Sequence, residues 1–273
     1  MKNILITLGC SFTQGDGCWD LETIKAPEFE GNSFNELSFE QHSLLFSRNL
    51  NRFLQLGWPS QLQEKLKYDE LYNLGFGGAA PSHSVKMFLE DIYYRDFTDC
   101  NVLVIQLLSF PHRISFYRNG VLNTFQMGGP LVDEYLKEIN LDTNNNSIYF
   151  GDLDDTTLEA YFYMKVMKEL CENKGWNFLF AGVRGDEPKH MVEYKDNMIL
   201  KPNFIAIKNL LKYSHKDETY GWCAHPTENI YNRIASDMYK WIVTHKTTIP
   251  KGNASEFKKE RILPKSYSRN PNR

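Results

Sequence analysis

The chain lacks several features that would assign it quickly. It has no Cys-x-x-Cys pair: its five cysteines, Cys10, Cys18, Cys100, Cys171 and Cys223, are odd in number and irregularly spaced. That argues against a zinc ribbon and against a disulfide framework, and leaves reduced thiols, the usual state in a cytoplasmic protein. It has no apolar run near the length of a membrane span. The N-terminal run after Lys2 is too short for a secretory signal and no small-residue cleavage site follows it, so the expected location is cytoplasmic. There is no excess of positive charge: 31 Lys and Arg stand against 34 Asp and Glu, a net charge of −3, so no nucleic-acid partner is expected. Finally, Gly75-x-Gly77-Gly78 does not have the spacing of a dinucleotide fingerprint.

What is present is the material of an ordinary folded domain. The 273 residues are 42% hydrophobic and 24% charged, with an aromatic share of 14%, enough to fill a substantial core and to line a groove. Four short, continuously apolar runs occupy residues 3–8, 70–74, 101–107 and 177–183. Continuous rather than alternating apolarity is the pattern of parallel strands covered on both faces. Helical spacing lies between them, over 59–67, 81–94 and 156–173, and a last helix is expected over 227–245 with Thr227 at its N-cap. Strands alternating with helices predict a doubly wound parallel α/β sheet in one domain, 1–246. Segments 20–53 and 116–155 fit poorly and are expected to be surface insertions. The first should carry a helix near 40–53, and the second should help to cover a site. Residues 247–273 carry prolines and a basic excess, and read as a flexible solvated tail, able at most to touch a polyanion or a protein partner.

Ligands in open α/β sheets bind beyond the carboxyl ends of the strands. The first run ends in Gly9-Cys10-Ser11-Phe12-Thr13, the second in Asn73-Leu74-Gly75-Phe76-Gly77-Gly78, and the third leads into Ser109-Phe110-Pro111-His112-Arg113. Ala224-His225-Pro226-Thr227 precedes the last helix. A serine in such a turn is by default a cap. A glycine-rich loop with free N–H groups and a histidine held before a proline give it a second role, because a serine hydroxyl needs a base to act as a nucleophile.

These blocks, in this order, resemble those of the SGNH, or GDSL-like, hydrolases. Gly9-Cys10-Ser11-Phe12-Thr13 resembles the family's Gly-Asp-Ser-x-(Ser/Thr) block. Asn73 to Gly78 resembles the block whose last glycine serves the oxyanion hole. Ala224-His225-Pro226 resembles the Asp-x-x-His-Pro block. The resemblance runs from Lys2 to about His245. It implies a flavodoxin-like three-layer α/β/α sandwich. It also implies a serine esterase without metal or organic cofactor, acting on a small-molecule or carbohydrate ester such as a sugar O-acetyl group. Ser11 would be the nucleophile and His225 the base. The N–H groups of Ser11 and Gly78 would form the oxyanion hole, with the Ser109 hydroxyl in place of the family's asparagine.

The chain departs from the family in three places. Cys10 stands where the family has Asp. Trp222 stands where the acid that orients the histidine is expected, which leaves Asp217 or Glu218, or a backbone carbonyl, for that task. The Gly-x-Asn-Asp block is absent, with Phe110 near the place of its asparagine. Arg113, Arg184 and His83 are candidate substrate contacts; a salt bridge for Arg113 and a surface position for His83 are the ordinary alternatives. Asp16 and Asp20 read as turn formers. The other functional class left open is a binding protein that keeps the fold with weak or no catalysis.

Overall fold

Hydrophobic burial on two faces of one sheet organises the chain. We describe a computed structural model in which residues 1–29, 36–108, 113–118, 121–126, 153–183, 201–207 and 225–262 are defined. In chain order the strands are β1 (Lys2–Gly9), β2 (Glu70–Gly75), β3 (Cys100–Leu108), β4 (Arg113–Arg118), β5 (Val121–Gln126), β6 (Asn177–Gly182) and β7 (Lys258–Arg261). The helices are α1 (Ser11–Gln14), α2 (Leu21–Ile24), α3 (Phe39–Leu56), α4 (Trp58–Leu66), α5 (Pro81–Asp91), α6 (Leu153–Asn173) and α7 (Glu228–His245).

Five strands form a parallel sheet in the order β6-β3-β1-β2-β7, and β4 and β5 form a separate antiparallel hairpin. The run β2-β1-β3-β6 has the order of flavodoxin-like doubly wound sheets. Successive side chains of a strand face opposite ways, so each apolar run must be covered twice. Leu5 of β1 packs with Phe53 of α3, Leu62 of α4 and Met238 of α7 on one face. Ile4, Ile6 and Leu8 pack with Phe88 of α5 and Met164 and Met167 of α6 on the other. The expected doubly wound α/β sheet is therefore present, and the four strands read from apolar runs lie within a residue or two of their expected bounds. No described helix is long and apolar enough to cross a membrane.

Two expectations are corrected. The helix within 20–53 is not part of a surface excursion. A capping box, Ser38 with Gln41, starts α3. Its inner face then carries Leu45, Asn49 and Phe53, all fully buried. Trp19 closes on it edge-to-face, with ring centroids 4.7 Å from Phe53 and 5.2 Å from Phe46. Helix α3 thus belongs to one of the two covering layers.

The segment from Thr247 is likewise not a free tail as far as Ile262. Ile249 and Ile262 are buried, Tyr68 donates its hydroxyl to Pro250 O at 2.8 Å, and β7 pairs with β2. A β-carbon on Gly252 would land on Lys67 O. The reason this was invisible is that β7 reads Lys-Lys-Glu-Arg. An edge strand needs no apolar run, and charge on it guards against edge-to-edge aggregation. Its cations are engaged internally: Lys258 lies 3.4 Å from Glu70 and Lys259 2.8 Å from Glu64, while Glu260 meets Arg95 at 3.2 Å. Residues 263–273 lie outside the described residues. So does most of the expected 116–155 insertion, apart from strand residues of the β4–β5 hairpin and the start of α6.

Candidate active site

Helices α3 and α4, which come after β1, cover one face of the sheet, and α6, which comes after β3, covers the other. Open α/β sheets place their ligands at the carboxyl edge between two such strands. Ser11 stands at that edge. Cys10 takes the N-cap position of α1 without a side-chain cap bond, and Gly15 ends the helix after one turn at φ 96°. Ser11 is therefore the first helical residue and not the cap. Its hydroxyl is left for another partner: Ser11 Oγ lies 2.8 Å from His225 Nε2, across 214 residues of sequence. His225 sits just before Pro226 and the extended N-cap Thr227 of α7, with its ring 5.3 Å from that of Phe12.

Three loops meet here and are stitched together. The Phe76 N–H donates to Gly9 O at 2.9 Å. The Gly77 N–H donates to Gln14 Oε1 at 2.5 Å. Asn73 donates to Thr13 O at 3.0 Å, accepts from the Gly75 N–H at 2.8 Å and accepts from Thr7 Oγ1 at 3.3 Å. The backbones touch: a β-carbon on Gly75 would strike Thr13 and Gln14, and one on Gly17 would strike Pro226 O and lie 3.0 Å from His225 Cβ. Tyr231 of α7 ties the third loop down, its hydroxyl donating to Asp16 O at 2.6 Å.

The loop after β2 is a turn closed by the Ala79 N–H on Phe76 O at 3.0 Å. Gly78 takes its third position at φ 80°, with open space where a side chain would be. A first-turn helix N–H has no intrahelical acceptor. Among the described residues neither the Ser11 nor the Gly78 N–H donates to another group, so both remain available to an anion.

Burial dominates the ionisable groups nearby. It raises the Cys10 thiol above its ordinary value, against the pull of Arg113, and so keeps it protonated. It pushes Asp16 up to about 8, with the Arg261 charge acting the other way. It lowers His83 to about 4, with Lys86 adding to the effect. The Asp16 carboxyl couples folding to pH. The unfolded carboxyl titrates near 3.8 and the folded one near 8. Between those values only the folded state holds the proton, so stability falls as pH rises across that window. Asp16→Asn removes the penalty. The melting temperature of D16N relative to wild type should rise between about pH 5 and about pH 9; parallel curves would refute the buried, protonated Asp16.

Asn73 was missed by sequence pattern, although a polar residue inside an otherwise apolar strand is a signal for a buried network. Asn73→Leu strands the Gly75 N–H, Thr13 O and the Thr7 hydroxyl. It should cost about 3 kcal/mol in urea denaturation; a loss under about 1 kcal/mol would show that the loops hold without it. Gln14 and Arg261 were also missed. Arg261 gave no sequence signal, because it lies in β7.

Of the expected site residues, Ser11 and His225 are brought together, and Gly78 lies on the loop stitched to the Ser11 turn. Arg113 opens β4, close enough for its charge to act on Cys10. His83 is not a surface histidine: it is 1% exposed, packs 5.2 Å from the Phe76 ring, and neither ring nitrogen has a hydrogen-bond partner among the described residues. Ser109, Arg184, Asp217 and Glu218 lie outside the described residues. Among the described residues, no three His, Cys, Asp or Glu side chains gather as a metal site. No protein-family model matches the chain, and no curated protein matches it.

Proposed function

We propose that this protein is a serine hydrolase of SGNH type that cleaves a carboxylic ester, with a sugar or small-alcohol O-acetyl group as the substrate class. The observation that carries this is the 2.8 Å contact between Ser11 Oγ and His225 Nε2, with the backbone at Gly17 packed closely against Pro226. His225 Nε2 takes the hydroxyl proton as Ser11 Oγ attacks the ester carbonyl. The charge that develops on the carbonyl oxygen is met by the Ser11 and Gly78 N–H groups, and one such donor is typically worth about 3 kcal/mol of barrier. Collapse of the tetrahedral intermediate expels the alcohol, which receives the proton from His225. Water, deprotonated by the same nitrogen, then releases the acid and restores Ser11. Apart from the ester and the hydrolytic water, these steps use only groups of the chain.

The test is reaction with a fluorophosphonate probe, followed by mass mapping, together with p-nitrophenyl acetate hydrolysis. A single adduct on the peptide containing Ser11 supports the proposal. An intact, folded protein that takes no adduct and turns over no short ester refutes it, and leaves a binding protein built on the same fold.

A further inference from the structure

Arg261 belongs to none of the loops that it touches. It comes from β7, at the edge of the sheet, and reaches under the site. Its Nη1 donates to Gln14 O at 3.2 Å and its Nη2 to Gly75 O at 3.0 Å. These carbonyls stand at the end of α1 and at the end of β2. The first is an orphan of the helix terminus. The second opens the loop that carries Gly77 and Gly78. One rigid, planar guanidinium therefore spans the turn that presents Ser11 and the turn that presents Gly78. An ammonium group has no such fork and serves as a point charge.

The surroundings fit a clamp rather than a chance contact. Burial draws Arg261 down to about 10, still protonated at neutral pH, and Asp16 pulls it upward. The Asp16 carboxyl lies on the same side, with Oδ2 3.8 Å from where a Gly77 β-carbon would stand. Arg261 Nε and Asp16 Oδ1 are buried and have no hydrogen-bond partner among the described residues. An arginine placed there only for stability gains little from such an arrangement, since desolvating a charge is costly.

We propose that Arg261 is a positioning residue of the oxyanion hole, setting the separation of the Ser11 and Gly78 N–H groups by holding Gln14 O and Gly75 O on one guanidinium. This rests on the hydrolase reading above, and the test separates the two. In full-length protein, Arg261→Lys keeps the charge and Arg261→Met keeps much of the stem. Two readouts are taken: backbone amide shifts of Ser11, Gly77 and Gly78, and kcat and KM for p-nitrophenyl acetate.

The expected result is that both variants shift those three amides while amides of β3 and β6 stay in place. In both, kcat should fall at least about tenfold with KM within about twofold, because the hole acts on the transition state rather than on the bound ester. Unmoved Ser11 and Gly78 amides in R261K overturn the clamp. So does wild-type kcat in R261K, which would reduce Arg261 to a charge. If the wild type proves inert toward both ester and fluorophosphonate, the hydrolase reading fails by itself, and the amide shifts still decide whether Arg261 spans the two turns.

Discussion

Ser11→Ala is expected to abolish fluorophosphonate labelling and to lower p-nitrophenyl acetate turnover by at least about a thousandfold, since nucleophile removal in serine hydrolases costs that or more. The fold should survive. Ser11 is not the cap of α1, and the Oγ–His225 contact is a single side-chain hydrogen bond, worth about 1 kcal/mol to stability. A drop in activity with a melting temperature within about 4 °C of the wild type is therefore the diagnostic pair of results. Residual labelling in S11A would direct attention to Cys10, one residue away. That outcome is not expected, because burial holds the Cys10 thiol protonated and the thiolate is the reactive form. S11A that labels and turns over like the wild type would end the proposal.

The second large effect is expected from Gly17→Ala, which adds a single methyl group. Gly17 has φ 104°, and its β-carbon would strike Pro226 O and crowd His225 Cβ at 3.0 Å. Two costs combine: the left-handed backbone, about 1–3 kcal/mol for a non-glycine residue, and displacement of the loop that carries His225. We expect a stability loss of about 3 kcal/mol or more by urea denaturation. We also expect labelling of Ser11 to slow at least about a hundredfold, the scale of loss when a catalytic group shifts by about 1 Å. Gly175→Ala is the matched control. It shares a positive φ of 70° but has nothing within 4 Å of the added carbon, and it lies after α6. It should pay only the backbone term, about 1 kcal/mol, and label at the wild-type rate. Equal labelling in G17A and G175A would show that the Gly17 approach does not place His225.

Much of the architecture was legible because the signals are local. Residues 3–8 and 101–107 are mostly apolar at both alternating sets of positions, the pattern of a parallel strand covered on both faces. The helix expected over 156–173 appears as Leu153–Asn173, and its buried face, through Tyr161, Met164, Met167 and Cys171, is set by the sheet that it covers. The Ser11 and His225 loops were legible as motifs, since a glycine-punctuated turn and a His-Pro before a helix are short-range features. Residues whose environment depends on distant segments were misread or unread. His83 looked like a surface residue at a helix start, yet Phe76 and its surroundings bury it. The charged segment 258–261 looked like tail, yet β2 supplies its hydrogen-bonding partner.

By itself, then, the sequence determined the class of the sheet, the positions of its apolar strands along the chain and the two loops that carry Ser11 and His225. Each of those follows from periodicity or from a few adjacent residues. Only the tertiary structure decided that Ser11 and His225 meet, that Asn73 and Gln14 stitch two loops, and that Arg261 reaches carbonyls 247 and 186 residues away. A hydrogen bond depends on distance and angle in space, and nothing in the local pattern around an arginine on a charged edge strand specifies which backbone will fold beneath it.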